Sequence, residues 1–194
     1  MRAGIKDLVI NTAHLAGQIE SALGDGHELG ARIVYSREGT RAEHALETLG
    51  GIVQALPLLG PEPFVIASSD ILTDFDYSQL AGAAAKIASG AFDAHLVLVE
   101  NPPYHAQGDM GISPPAGENS APAIATRGMP RYTYANIGVL APRLFAGLAP
   151  ERAKLFPWLY RAVEQGRVSA QLWRGRWWNI GTPEELGHAD KIWR

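Results

Sequence analysis

Four short stretches hold the residues best suited to chemistry. The first is Ser68-Ser69-Asp70, which directly follows the apolar run Pro63-Phe-Val-Ile-Ala67. Such a run reads as a buried strand, and in open α/β sheets ligands bind just beyond the carboxyl ends of strands. A carboxylate there can hold Mg²⁺, which takes one or two protein carboxylates and fills its other positions with water and substrate phosphates. Asp70 equally suits a turn, where aspartate commonly caps nearby backbone. Asp74 and Asp76 fit turn and helix-start positions, with Asp76 as the N-cap of the next helical stretch.

The second stretch is Ala45-Leu46-Glu47-Thr48-Leu49-Gly50-Gly51-Ile52, a helical pattern carrying two glycines. Glycine inside a helix costs about 1 kcal/mol relative to alanine, so a chain segment or a flat ligand is expected against this backbone. The third is Tyr134-Ala-Asn136-Ile-Gly138-Val-Leu140, where Asn136 and Gly138 interrupt a strand and mark a bulge or a close approach. In the fourth, Trp177-Trp178-Asn179-Ile180-Gly181-Thr182-Pro183-Glu184-Glu185, a capping box accounts for Thr182, Pro183 and Glu185. Capping leaves Asn179 without a reason.

Several chemistries are excluded. The chain has no cysteine, so disulfides, thiolate catalysis and Cys-ligated zinc are ruled out. Its six histidines lie far apart and form no metal set by spacing. Seventeen basic and twenty acidic residues give a net charge of -3, with no basic block for nucleic acid or an anionic membrane surface. No signal peptide or membrane span is read in the N-terminal residues, and a cytoplasmic protein is expected.

The elements that must position these residues alternate. Strands are expected at Asp7–Asn11, Arg32–Tyr35, Pro63–Ser68 and Ala94–Glu100. Helices are expected at Ala13–Leu23, from Leu46 to Leu56 before Pro57, and around Tyr77–Ser89. Near-continuous apolar strands between helices predict an α/β domain with a mixed, mostly parallel sheet covered on both faces, Asp70 ending a central strand. From Asn101 to Pro130 proline and glycine are dense, which predicts a long loop or loose hairpin. Beyond it come a strand at Thr133–Leu140, a helix near Lys154–Gln165, two strands at Val168–Trp173 and Trp177–Ile180, and a helix from Thr182. Four tryptophans between Trp173 and Trp193 are expected to pack that last helix.

In this order the pieces resemble the sugar-1-phosphate nucleotidyltransferases, most nearly their N-acetylmuramate-1-phosphate uridylyltransferase type. The resemblance is carried by Asp7-Leu-Val-Ile-Asn-Thr-Ala-His-Leu15, Leu46-Glu-Thr-Leu-Gly-Gly-Ile52, Asp70-Ile-Leu-Thr-Asp-Phe-Asp76, His95-Leu-Val-Leu-Val99 with Asn101-Pro, Gly108-Asp109 and Trp178-Asn-Ile-Gly-Thr-Pro183. It implies a Rossmann-like fold of the nucleotide-diphospho-sugar transferase type, as one domain over residues 1–194. Asp70 would then be the catalytic metal ligand, with Asn179 as the second ligand of Mg²⁺. Glu47, Gly50, Gly51 and Ser69 would border the nucleotide, and Gly108, Asp109, Asn136 and Gly138 the sugar phosphate. The implied partners are a nucleoside triphosphate, UTP by this resemblance, and a sugar-1-phosphate. The product would be a nucleotide sugar, with pyrophosphate released and no covalent enzyme intermediate.

Two departures bear on turnover. The family opens with a strand, a glycine-rich loop bearing arginine and a Pro-Lys pair, about 30 residues in all, whereas this chain starts at what resembles the end of the family's first helix. It is therefore expected to lack the triphosphate-binding strand and loop, to expose a sheet edge that favours self-association such as a homodimer, and to turn over slowly if at all. Asn179 stands where the family has its second metal-binding aspartate, and Ser68-Ser69 replace Asn-Gly. An inactive homologue that binds a nucleotide sugar or a partner, and a metal-dependent glycosyltransferase, are the competing readings.

Overall fold

In the computed structural model, which describes residues 3–39, 41–113 and 123–193, the strands and helices follow the apolar periodicity. The elements are β1 (Asp7–Thr12), α1 (Ala16–Leu23), β2 (Arg32–Arg37), α2 (Glu47–Leu59), β3 (Phe64–Ala67), β4 (Ile71–Thr73), α3 (Ala81–Ala88) and β5 (Ala94–Val99). They continue with β6 (Gly111–Ser113), β7 (Ile124–Thr126), β8 (Thr133–Leu140), α4 (Leu155–Trp158), α5 (Tyr160–Glu164), β9 (Val168–Trp173), β10 (Trp177–Asn179) and α6 (Pro183–Ile192). The chain divides into two units, Met1–Glu62 with Ala141–Arg161, and Pro63–Leu140 with Ala162–Arg194.

In the first unit β1 and β2 form a parallel pair, with Asp7 opposite Arg32 and Thr12 opposite Arg37. α2 packs on both strands and buries Leu49, Ile52, Val53 and Ala55. The helix was expected to stop before Pro57, but it runs on to Leu59. Proline there removes one hydrogen bond of the last turn, and the Gly60 N–H closes that turn on the Leu56 carbonyl at 3.2 Å. The helix expected near Lys154–Gln165 is instead broken: Phe156 is extended, φ −103° and ψ 138°. Proline at 157 crowds the residue before it out of the helical region.

The second unit holds a six-stranded sheet in the order β3-β8-β5-β9-β7-β6. β5 and β9 pair in parallel. β8 runs antiparallel between β3 and β5, and β7 antiparallel to β9 and β6. β3, β5, β9 and β6 therefore share one direction, with β8 and β7 opposing it. β3 is the outermost strand among the described residues rather than a central one, because β1 and β2 form a separate sheet. The expected loop over Asn101–Pro130 contains the short β6–β7 hairpin, and residues 114–122 lie outside the described ones. All six residues of β5 are buried, with Leu96, Val97 and Leu98 fully so, and α3 packs against β5 and β8. Among the described residues no helix is long and apolar enough to cross a membrane.

One polar cluster lies in this sheet. His95, 5% exposed on β5, faces Ser169 across the parallel pair. Gln171 Oε1 lies 2.9 Å from Nε2 and can only accept, so Nε2 carries the hydrogen and the Ser169 hydroxyl, also at 2.9 Å, donates to Nδ1. That arrangement needs a neutral ring. Burial holds the His95 pKa below its ordinary 6.5, outweighing the Gln171 acceptor, which raises it; the Lys86 ammonium on α3 lowers it further. The unfolded chain thus takes up a proton at a higher pH than the folded one. Stability is full above about pH 6.5 and declines as pH falls toward the depressed folded value, by up to about 1.4 kcal/mol per pH unit. Melting temperature measured from pH 7 to pH 5 should fall in the native chain and be flatter in His95→Gln.

Candidate functional site

The second unit gathers Asp70, Asn179 and Asn136. Beyond β3 the chain turns at Ser68-Ser69-Asp70, with the Ile71 N–H on the Ser68 carbonyl at 3.3 Å, and returns as β4. β4 pairs antiparallel with β10, placing Asn179 opposite Ile71, and the Ile180 N–H donates to the Asp70 carbonyl at 2.8 Å. Asp70 and Asn179 therefore stand on neighbouring backbone. Asp70 and Ser69 are exposed. Asn179 is half-buried, and its Oδ1 is buried with no hydrogen-bond partner.

Asn136 reaches the same place through a distortion of β8. The pairing of β5 with β8 slips between Leu96 and Leu98, and Asn136 takes a left-handed φ of 56°. Asparagine tolerates that region better than other non-glycine residues. Its carbonyl accepts from the Ser68 N–H at 3.1 Å, and the adjacent Ala135 carbonyl accepts from the Trp177 indole at 3.0 Å. Gly138 is required by the neighbouring strand: a Cβ there would sit 2.6 Å from the His95 carbonyl oxygen.

The remaining aspartates have structural work. Asp74 accepts from the Arg176 N–H at 2.9 Å and from its Nε at 3.2 Å, which fastens the turn before β10. The guanidinium of Arg176 also lies 4.1 Å from the Trp193 ring centroid. Asp76 caps the turn at Tyr77–Leu80 by accepting from the Ser78 N–H at 2.9 Å, and the Ser78 hydrogen bonds hold its carboxyl below the usual range. Thr182 caps α6, while Glu185 reaches back to the Gly181 N–H at 2.8 Å.

Gly108 and Asp109 belong to a tightly folded loop. Gly108 has φ +58°, and a Cβ there would meet Asn101 Oδ1 at 2.7 Å and the Arg131 and Tyr132 backbone at 3.0 Å. Asp109 uses both oxygens within the chain, one accepting from the Tyr134 N–H at 2.7 Å and one 3.1 Å from His105 Nε2. Asn101, which the sequence marked only as part of the resemblance, is the knot of this loop. Its amide donates to the Ala106 and Arg131 carbonyls at 3.1 and 3.0 Å, and its Oδ1 accepts from Thr133 at 2.9 Å. A cleft of about 720 Å³ opens beside this loop, walled by Tyr104, Trp173, Trp177 and Trp178 and including Asn179.

Glu47, Gly50 and Gly51 lie in the first unit. Glu47 has φ 60° at the start of α2 and pairs with Arg152 at 3.4 Å. Gly50 lets the Glu151 carbonyl press on the helix, where a Cβ would overlap it, and the Leu49 N–H donates to the Ala153 carbonyl at 2.9 Å. At Gly51 a Cβ would overlap Glu38 Oε1 and meet Asn11 Nδ2 at 2.6 Å. Those two side chains bond each other at 2.8 Å, and Glu38 also accepts from the Leu46 N–H at 2.7 Å. A chain segment lies against the backbone at both glycines, which is one of the two approaches expected there.

Comparison with known proteins places this arrangement. Residues 1–117 match the family model described as Nucleotidyl transferase. The N-acetylmuramate alpha-1-phosphate uridylyltransferase of Neisseria meningitidis serogroup B is 40% identical over 192 residues, which span 98% of this chain and 80% of that protein. The enzyme of the same name from Caulobacter vibrioides is 29% identical over 94% of this chain and 75% of its own length. The chain belongs to the nucleotidyl transferase family. The crystal structure of HddC from Yersinia pseudotuberculosis complexed with GMP-PN superimposes with a TM-score of 0.71 at 15% identity, over 99% of this chain and 80% of that one. That likeness shows the Rossmann-like α/β fold.

In this family member Gly138 is one of the glycines whose missing Cβ makes room for backbone. Gly138→Ala should destabilise the chain by about 1–3 kcal/mol, because β5 backbone cannot yield as a flexible side chain would. Gly82→Ala on α3, where a Cβ meets nothing within 4 Å, should instead stabilise by about 0.4–1 kcal/mol. Urea unfolding of both variants checks the pair.

Proposed function

We propose that this chain joins a sugar-1-phosphate to a nucleoside triphosphate, forming a nucleotide sugar and pyrophosphate. UTP and N-acetylmuramate-1-phosphate are the substrates favoured by the two uridylyltransferase relatives, and cytoplasmic recycling of cell-wall sugars is the setting that chemistry fits. The observation that carries the reading is the pairing of Asp70 with Asn179. An exposed aspartate and an asparagine whose buried amide oxygen accepts from nothing in the chain stand on hydrogen-bonded neighbouring backbone.

That donor set fits Mg²⁺, a hard cation that takes oxygen ligands and keeps several positions for water and phosphate. Among the described residues no group of three or more His, Asp or Glu could hold a metal by itself, so Asp70 and Asn179 would hold it with substrate phosphates completing the shell. The bound ion would offset negative charge at the phosphates as the sugar phosphate oxygen attacks the α-phosphorus and pyrophosphate departs. Asp70 supplies the one formal negative charge of the pair. The buried β8 backbone behind Asn136 keeps the turn at 68–70 from drifting, and in-line transfer is sensitive to such displacement.

The test is pyrophosphate release from UTP and N-acetylmuramate-1-phosphate. Slow, Mg²⁺-dependent release is expected, falling about a hundredfold or more in Asp70→Ala. Nucleotide-sugar formation unaffected by Asp70→Ala would sink the reading. Binding of UDP-N-acetylmuramate without any turnover would favour the inactive homologue.

A further inference from the structure

The rim of the 720 Å³ cleft carries a side chain that the reaction as described does not use. Tyr104 is 67% exposed, on the short turn Pro103–His105. Single exposed aromatics need no explanation in general, but this one is held out by unusual means. Two prolines precede it, and Asn101 fastens both ends of its loop through three hydrogen bonds. Gly108 locks the exit of the loop at a φ that other residues avoid, and Asp109 pins it to β8. Such rigidity removes the ordering cost of an aromatic contact with a ligand.

The cleft itself narrows the ligand. Its walls are aromatic, and one of them, Trp173, has a buried indole N–H with no acceptor. Its charged groups are the carboxylates of Glu100, Glu184 and Glu185, and the guanidinium of Arg174, already paired with Glu100 at 2.8 Å. Carboxylates accept hydrogen bonds and repel phosphate, so the group they suit is neutral and rich in donors. A sugar ring brings hydroxyl donors and an apolar C–H face, whereas a uracil ring brings one N–H and two carbonyls. Burial, then the charges of Glu185 and Asp70, raise the Tyr104 pKa, which sets the phenol within the field of the metal-binding carboxylate.

We propose that Tyr104 is a stacking platform for the sugar ring of the sugar-1-phosphate, fixing which face of the sugar lies on the cleft wall. The proposal rests on the transfer reaction above and deepens it. Its test is a calorimetric titration of the native chain, Tyr104→Ala and Tyr104→Phe with UDP and with UDP-N-acetylglucosamine. The native chain is expected to bind the nucleotide sugar more tightly than UDP. Tyr104→Ala should weaken the nucleotide sugar about tenfold and leave UDP unchanged, and Tyr104→Phe should restore the native difference. Equal weakening of both ligands would place the base rather than the sugar on Tyr104, and no weakening of either would remove it from the site; both outcomes overturn the proposal alone. Failure of the native chain to bind either ligand would overturn the transfer reading first.

Discussion

The site is anchored on β8 at Ala135 and Asn136, where the strand keeps its pairing toward β3 and slips against β5. In an unbroken strand the carbonyls of residues 135 and 136 would serve the ladders to β3 and β5. The Asn136 carbonyl keeps the next rung of the β3 ladder by accepting from the Ser68 N–H, while the slip against β5 leaves the Ala135 carbonyl for the Trp177 indole. The first bond anchors the turn that carries Asp70, and the second anchors the strand that carries Asn179. A non-glycine residue in the left-handed region, such as Asn136, costs of order 1–3 kcal/mol, and it persists because buried strands on either side determine it. β5 lies so close that only glycine fits two positions later.

How much of this was legible in the sequence depends on whether the cause was local. The turn after Phe64–Ala67, the cap at Asp76, the capping box at Thr182–Glu185 and the distortion at Asn136 and Gly138 were all readable, since each follows from neighbours within a few residues. The antiparallel course of β8 was not, because an apolar run of eight residues looks the same in either direction. β4 and β10 are three residues each, and their pairing rests on contacts remote in sequence, Asp74 with Arg176 among them. Pro57 was read as a terminator when the last turn of a helix can accommodate it.

Gly50, Gly51 and Asp109 show what contacts within the chain a residue type leaves unspecified. A glycine in a helix reports that something lies against the backbone, but the report is the same for a nucleobase and for the protein's own chain. Here the Glu151 carbonyl and the Asn11–Glu38 pair occupy that space. Asp109 likewise has partners within the chain, its oxygens meeting a strand N–H and a histidine. Asn101 ties more of the neighbouring loop together and gave no signal beyond its place in the resemblance. Amides that bridge backbone carbonyls resemble ordinary loop asparagines until the partners are seen.

Asn179 differs from these residues in the direction of its cost. A buried amide oxygen with no partner destabilises a chain by about 1–3 kcal/mol, and the Asn179 Oδ1 is such an atom. Replacing it by an apolar side chain would relieve that penalty, whereas a carboxylate in the same place would raise it in the absence of a cation. An amide oxygen can thus face a cation there without the buried charge that an aspartate would bring. On the proposed reading, the charge for binding a cation would fall on Asp70, where exposure makes an ionised carboxylate tolerable, and the buried oxygen would add coordination without adding repulsion. A site divided in this way would hold a cation most firmly when substrate phosphates supply the missing negative charge.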